Sequence, residues 1–379
     1  MSVQGARTQP PGGDSLIDWR LAGAVARALA GRGSAERAVE TADLRKAARG
    51  SVRLVRDYTG LEPHGRLPAP EVVDRREWIE TNIRTLRAVS GPLERSIAGS
   101  DSLPGPFGAG LRGIAGAAAG VEVGIASGFL AQRVLGQYDV ALMGPPRPPR
   151  LLFVAPNLAE AQEKLGVERG PFLRWIALHE ATHVVQFSSV PWLRDHIGGT
   201  AEQLLGGAFA GVSARELADM ARRLFPPDPR RLVGAIRSGD WLSPFATQPR
   251  ARLLRRLQAT MAVVEGYSEH VMDAVAADMG PGYGELRERL ERRRGERNVI
   301  EEVMSRLLGL EMKMRQYRQG KAFCDEVADR RGIGTLNKVW SEPAALPRPS
   351  ELSSPARWLT RIDGPPSRRR GRSRTVSSA

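Results

Sequence analysis

The sequence predicts a mainly α-helical protein with little β structure, and three observations support this prediction. Strand-like segments are scarce, and the clearest is the short apolar run from Leu151 to Val154. Aromatic residues make up only 6% of the chain, so Ala, Leu and Val must fill much of the core. Apolar residues recur at helical spacing, as in the N-terminal set formed by Ile17, Leu21, Ala24, Val25 and Ala28.

Helices are expected throughout the first 145 residues, and glycines mark the ends of the first two. The first helix ends near Gly31 and the second at Gly60. Small residues dominate the fourth, which Arg112, Glu122 and Arg133 interrupt. Its uncharged pieces are therefore shorter than the roughly 20 residues that span a bilayer, and we expect no membrane span. The predicted helices cover residues 16–31, 34–58, 70–97 and 105–136.

The segment from Gly144 to Arg150 contains four prolines and indicates a linker or a rigid turn. The rest of the chain is predicted to be mostly helical, and Ser213 with Glu216 forms a capping box. We expect a flexible N-terminal tail (1–15), an N-terminal helical region (16–145), a second region (146–362) and a basic disordered tail (363–379). The predicted helices of the second region cover residues 168–190, 199–209, 213–225, 248–278, 283–293, 298–318 and 321–331.

The net charge of +14 is the main compositional anomaly, and the segment from Pro365 to Ala379 contributes five arginines to it without an acid. A basic surface can attract nucleic acid or anionic lipid. No nucleic-acid motif accompanies the charge, and arginine is abundant along the whole chain. We interpret the charge as a solvated basic surface, with a dedicated nucleic-acid site as the less favoured alternative.

The chain has one cysteine, Cys324, so it forms no intrachain disulfide. A single cysteine fits a reducing compartment, and we expect a cytoplasmic protein. The first 14 residues also lack the basic start and apolar run of a signal peptide. A cysteine-based zinc site is excluded, so any metal must be bound by His, Asp or Glu. Cys324 itself is expected to be a small core residue.

The stretch RWIALHEATHVVQF contains the pattern HExxH, formed by His179, Glu180 and His183. Residues i and i+4 lie on the same helix face, so the two imidazoles can converge on one metal ion. Glu180 is rotated by about 100° from His179. It can reach a water on the open side of the metal without being a ligand. Two His ligands with a Glu as general base form the arrangement of the zincin metallopeptidases.

The surroundings of the motif favour a metal ion over a surface cluster. Within residues 175–193, Glu180 is the only acidic or basic residue apart from the histidines. An ionised carboxylate on so apolar a helix is costly unless something pairs with it. The alternative, a solvated His-Glu-His face, would place polar neighbours beside His179, where apolar residues stand instead. The extended metzincin motif is absent, because Gln186 and Ser189 occupy the positions of its Gly and third His.

A distant Glu is then the usual third ligand, and the best candidate is Glu265 in MAVVEGYSEHVMDAV. It follows an apolar run, and Gly266 after it allows two helices to approach closely. Glu269, one turn later, would accept a proton from the ligand His179. The alternative is an ordinary helix with two solvated glutamates.

Other residues are secondary candidates for the site. His270 and His196 are rival ligands, and His270 could instead donate to the oxyanion. Tyr317 could also donate to the oxyanion, although a packing role is favoured. Asn157, which follows the predicted strand, is either a substrate-binding residue or a turn former.

Several stretches together resemble an actinobacterial family of zincin-like metallopeptidases, whose members are also labelled as associated with biosynthesis of a deazaflavin coenzyme. The similarity covers about residues 17–362. It implies a mostly helical zincin fold and a bound zinc ion, and it names no substrate. The HExxH motif is intact. The stretches are LLFVAPN, FLRWIALHEATHVVQF, EGYSEHVMD, LLGLEMKMRQYRQGKAF and VWSEPAALPRPSEL with PARWLTR.

We therefore expect residues 146–362 to form a zincin-like catalytic region that hydrolyses a peptide or protein substrate. Glu180 would take the proton of a zinc-activated water and pass it to the leaving amine. The competing class is a zinc-stabilised binding or scaffold protein with little turnover, because the same ligands serve both. The sequence predicts neither the oligomeric state nor whether cleavage is internal or terminal.

Overall fold

The computed structural model describes residues 15–31, 41–98, 106–144, 146–208, 248–279, 283–295 and 310–363. Within these ranges the protein is mainly α-helical with one small sheet, as the sequence predicts. The helix and capping box predicted after Ser213 lie outside the described residues. So do nearly all residues of the two predicted tails.

The helices of the described chain follow the predicted pattern, with differences at several ends. Up to residue 208 they are α1 (Trp19–Ala30), α2 (Thr41–Thr59), α3 (Arg75–Ala98), α4 (Pro106–Ala131), α5 (Ala155–Leu165), α6 (Arg169–Ser189) and α7 (Pro191–Ala208). Beyond it they are α8 (Gln248–Ala274), α9 (Tyr283–Gly295), α10 (Leu310–Arg331), α11 (Ile333–Leu336), α12 (Pro349–Leu352) and α13 (Pro355–Asp363). Short 3₁₀ helices cover Ala276–Met279, Asn337–Trp340 and Pro343–Ala345.

The sheet has three strands, β1 (Pro70–Val73), β2 (Gly136–Asp139) and β3 (Arg150–Val154), in the order β1-β3-β2. β1 runs parallel to β3, and β2 is antiparallel to it. The strand predicted at Leu151 to Val154 is confirmed as the centre of the sheet. The β1–β3 pairing joins the predicted N-terminal region to the region that carries HExxH.

The helix predicted over residues 70–97 is wrong at its start, because Pro70–Val73 is strand β1. The helix begins only after Asp74, whose carboxylate accepts a hydrogen bond from the backbone N–H of Glu77 at 2.7 Å. This is the N-cap geometry that satisfies a free donor in the first turn of a helix. The local apolar run was too short to distinguish a strand from a helix.

Helix α6 carries the HExxH motif and packs on two sides, which explains why it lacks a polar face. On one side Leu173 and Ala177 pack with residues of α2 and β3. On the other, Leu178 and Val185 join a larger core built from α7, α8, α10 and the C-terminal helices. With both sides enclosed by protein, the backbone positions of the motif are firmly held.

Helices α8 and α10 cross at two glycines. A Cβ atom added to Gly266 would overlap the backbone of Gly320, and one added to Gly320 would overlap the carbonyl of Ala262. The approach predicted from Gly266 is therefore made, and its partner is Gly320. Two helices were predicted on either side of Gly320, but α10 is continuous through it.

Helix α4 packs on α1 through its small residues. A Cβ atom added to Gly120, Gly124 or Gly128 would come within 2.6–2.9 Å of α1 residues or of the cap that precedes α1. In the described chain, Gly113–Ala131 is the helical segment long and apolar enough to cross a membrane, with a mean hydropathy of 1.6 and 33% of it buried. Length and composition alone do not separate a span from a packed helix.

The C-terminal helices close the larger core. Trp358 is fully buried, and its indole N–H donates to the carbonyl of Ala345 at 2.8 Å. The buried Glu351 carboxylate accepts two hydrogen bonds from Arg361, both 2.8 Å. Burial alone would raise the pKa of Glu351, but the bonds from Arg361 and from the backbone of Arg348 lower it.

Candidate metal centre

Two histidine side chains of α6 meet on one face of the helix. The rings of His179 and His183 lie edge to face with centroids 4.7 Å apart. Their Nε2 atoms are 3.3 Å apart. The spacing of four residues accounts for this geometry, because side chains one helical turn apart are neighbours.

Helix α8 brings a third donor to the same point. An Oε2 oxygen of Glu265 lies 3.8 Å from Nε2 of His179 and 3.7 Å from Nε2 of His183. In the described part of the chain, this is the group of His, Cys, Asp and Glu side chains that could hold a metal ion. The structure therefore brings together the three side chains that the sequence singled out as ligands.

The three donor atoms fit a tetrahedral ion. Zinc bonds of about 2.0–2.2 Å at tetrahedral angles place neighbouring ligand atoms roughly 3.4 Å apart. The observed separations of 3.3, 3.7 and 3.8 Å come within a few tenths of an ångström of that value. Two imidazoles and one carboxylate also form a donor set that zinc favours.

Glu180 lies beside this group under strand β2. Its side chain is buried, with 6% of the residue exposed, and the backbone N–H of Tyr138 donates to it. Gly136 leaves room for it, because a Cβ there would lie 2.7 Å from Cγ of Glu180. Burial raises the pKa of Glu180 to about 7, with a further increase from Glu265, against the opposing effects of His183 and the Tyr138 bond.

A buried amide holds His183. Nδ1 of His183 is 3.3 Å from Oε1 of Gln186, and Nε2 of Gln186 donates to the carbonyl of Val264 at 3.4 Å. A carbonyl only accepts, so the amide nitrogen must face Val264 and the amide oxygen must face the imidazole. Nδ1 of His183 then carries the proton. In the neutral ring, Nε2 then presents a lone pair toward Glu265 and His179, as metal binding requires.

The hydroxyl of Ser268 contacts His179 as the amide of Gln186 contacts His183. Oγ of Ser268 lies 3.2 Å from Nδ1 of His179 and 3.5 Å from the His179 carbonyl oxygen. The hydroxyl can accept from Nδ1–H while donating to the carbonyl, and Nε2 is again left for a metal. Ser268 stands three residues after Glu265, so both project from the same side of α8.

The charges of the centre favour a cation. Burial alone would lower the pKa of His183, but the carboxylate of Glu265, followed by Glu180 and the Gln186 bond, raises it to about 9. The pKa of Glu180 is also raised, to about 7, and burial is the main cause. Two carboxyl groups close to two imidazoles thus stabilise positive charge, which a divalent ion supplies.

Both ring nitrogens of His270 have hydrogen-bond partners away from the three donor atoms. Nδ1 lies 2.8 Å from Oδ1 of Asp325, and Nε2 lies 2.8 Å from the hydroxyl of Tyr58. Asp325 in turn pairs with Lys321. The structure places His270 in a separate hydrogen-bond network, and its role at the metal centre stays a prediction. The residue ties α2, α8 and α10 together.

The remaining candidates have other surroundings. His196 packs edge to face on Trp192 and is not part of the metal group, so the rival role is not supported. Asn157 is buried. Its side-chain oxygen accepts from Arg75, and its side-chain nitrogen donates to the carbonyls of Ala131 and Val134. Both polar atoms of the side chain are thus used inside the protein, so the substrate-binding role is wrong.

Three further expectations have different outcomes. Glu269 acts electrostatically on Tyr283 and raises the pKa of that phenol, after the larger effect of burial. Its predicted bond to His179 stays a prediction, as does the role of Tyr317, whose side chain lies outside the described residues. Cys324 is buried in the core, as predicted.

The comparisons with known proteins agree with this geometry. Residues 17–359 match the model of a family described as zincin-like metallopeptidase. Among solved structures, the chain is similar to a protein from Chloroflexus aurantiacus described as a "putative hydrolase with a novel fold". The two are 28% identical with a TM-score of 0.62, over 92% of this chain and 99% of that one. The search of curated proteins gave no match.

Proposed function

Because the chain belongs to the zincin-like metallopeptidase family, we propose that it is a zinc-dependent peptidase acting on a peptide or protein substrate. The observation that carries the proposal is the convergence of Nε2 of His179, Nε2 of His183 and Oε2 of Glu265. Glu180 stands next to this group and is not needed as a ligand. The similarity to a solved structure described as a hydrolase supports the reaction class.

The chemistry divides between the ion and the side chains. A zinc ion held by the three ligands would polarise the scissile carbonyl and lower the pKa of water toward about 7. Glu180 takes the proton of the attacking water and returns it to the leaving amine. In the metal-free protein burial raises the pKa of Glu180 to about 7, and a zinc ion bound beside it would lower this pKa and favour the carboxylate that accepts the proton.

The orientation of the ligands is part of the proposal. Gln186 fixes the ring of His183, and Ser268 fixes that of His179. We propose that Glu269 adds to the positioning of His179, and that Tyr317 is the remaining candidate donor to the oxyanion. A reducing compartment such as the cytoplasm fits the single cysteine.

The test has two parts, metal content and cleavage. Protein purified without added metal is analysed for zinc and then incubated with a proteome-derived peptide library, and new termini are identified by mass spectrometry. We expect about one zinc per chain and a defined set of cleavages. The Glu180→Gln variant should keep zinc and lose cleavage by at least the roughly 10²–10⁴-fold typical of a general base.

Glu202→Gln is the matched control, since Glu202 is exposed on α7 and its variant should cleave as the native protein does. Zinc binding without cleavage in either native protein or control would favour the scaffold alternative. Cleavage that survives Glu180→Gln would show that the proposed base is wrong. A folded protein that takes up no zinc would overturn the whole proposal.

A further inference from the structure

A groove of about 800 Å³ lies between α2 and α6, away from the metal centre. Gly170, which lines it, and His179 are nine residues apart on α6. At about 100° per residue, they point to opposite sides of the helix. The volume falls within the range of roughly 300–1,000 Å³ typical of small-molecule sites.

Cations dominate the charged lining of the groove. Lys46 and Arg53 extend from α2, and Arg169 and Arg174 from the first turns of α6. Lys46, Arg53 and Arg174 are exposed, and the described part of the chain offers none of them an ion-pair partner. These three cations are therefore available to an anion that enters the groove.

The floor of the groove contains an unused hydroxyl. Ser51 lines the groove and is only 2% exposed, and its side chain makes no hydrogen bond to another described residue. Other helical hydroxyls bond back to their own helix, as Thr59 does to the carbonyl of Val55 at 2.7 Å. The Ser51 hydroxyl is therefore available to donate to an acceptor that enters the groove.

We propose that this groove binds a small molecule that carries phosphate groups. Guanidinium groups bind phosphate through paired hydrogen bonds, and lysine adds a point charge. The Ser51 hydroxyl supplies a neutral donor at the floor. Two carboxylates, of Asp43 and Asp278, also line the groove. These carboxylates oppose any anion, but the four cations outnumber them, and a groove of about 800 Å³ suits a compact ligand rather than a nucleic acid.

The test measures binding of pyrophosphate and of a nucleoside triphosphate to the full-length protein by calorimetry in phosphate-free buffer. The Arg53→Gln/Arg174→Gln double variant should weaken pyrophosphate binding by about tenfold or more, the equivalent of at least one lost charge-assisted hydrogen bond. Arg45→Gln/Arg49→Gln removes the same charge from exposed positions of α2 that do not line the groove. It should weaken binding by less than about threefold, as expected for screened surface charges.

Two further variants separate the groove from other sites. Ser51→Ala should weaken binding several-fold, and His183→Ala should leave it unchanged, because the metal centre faces the other way. Failure of both phosphate compounds to bind would overturn the proposal. So would equal losses in the two double variants, loss of binding in His183→Ala, or full displacement of pyrophosphate by duplex DNA. None of these outcomes bears on the peptidase proposal, which the cleavage assay tests separately.

Discussion

Gln186 gives the sharpest test of the metal centre, because one buried amide serves two ligands at once. It bonds to Nδ1 of His183 and to the carbonyl of Val264, the residue before Glu265. Gln186→Met keeps the length of the side chain and removes both bonds. Losing the partner of a ligand histidine typically costs about 10–100-fold in metal affinity, or roughly 1.4–2.7 kcal/mol.

The bond to Val264 should contribute separately to stability. The Val264 carbonyl lies inside helix α8 and keeps its helical hydrogen bond, so Gln186→Met removes only its second bond. A typical intramolecular hydrogen bond contributes about 0.5–1.5 kcal/mol to stability. Gln186→Met should therefore lower the free energy of unfolding of the metal-free protein by about that amount as well.

Gln186→Glu separates the two effects. A carboxylate still accepts from Nδ1–H of His183 but cannot donate to the carbonyl of Val264. Zinc affinity should be kept or increased, while the stability of the metal-free protein falls.

Affinity is measured by competition with a chromogenic chelator, and stability by denaturant titration of metal-free protein. Gln203→Met, at an exposed position of α7, is the control and should change neither quantity. If Gln186→Met binds zinc within threefold of the native protein at unchanged stability, the assignment of the amide is refuted.

Three other predictions follow from the same structure. Zinc titration should show that Glu265→Ala loses most affinity, whereas Glu269→Ala loses only about 10–100-fold; equal effects would contradict the division of roles. Gly266→Ala should lower the free energy of unfolding by at least about 1–3 kcal/mol, because the added Cβ overlaps the backbone of α10. Gly284→Ala is the control: it has open space around it and should leave the free energy of unfolding unchanged or raise it by up to about 1 kcal/mol. Denaturation at several pH values should show Glu351→Gln destabilising by about 1–3 kcal/mol near neutral pH. This difference in stability should shrink as the pH falls below 4.5, the ordinary pKa of a glutamate, because the pKa of Glu351 is lowered in the folded state. A difference that stays constant with pH would rule out the ionised Glu351–Arg361 pair as its source.

The three candidate ligands could be picked out from the sequence because their signals are local. His179 and His183 are one turn apart, and Glu265 is a charge at the end of an apolar run. Their mutual distance depends on how α6 and α8 cross, which the sequence does not encode locally. His270 stayed a rival because five residues after Glu265 turn the helix by about 500°, to a different face, and the sequence alone does not show which of the two faces meets α6.

The positioning groups were missed because neutral residues give weaker signals than charged ones. Gln186 was noticed only as a departure from the metzincin pattern, although three residues after His183 is within reach on a helix. Ser268 was passed over in favour of the carboxylate next to it. Strand β2 was missed because GQYD shows neither alternation nor an apolar run, and with it the backbone contact to Glu180.

The crossing of α8 and α10 also limits how this protein can change during evolution. At Gly266 and at Gly320, an added side chain would meet backbone atoms of the facing helix. Core substitutions are often rescued by a second change that trims the opposing side chain. No such compensation exists where the obstacle is main chain. We therefore expect the two glycines to be retained independently of each other, without the covariation that marks ordinary packed pairs.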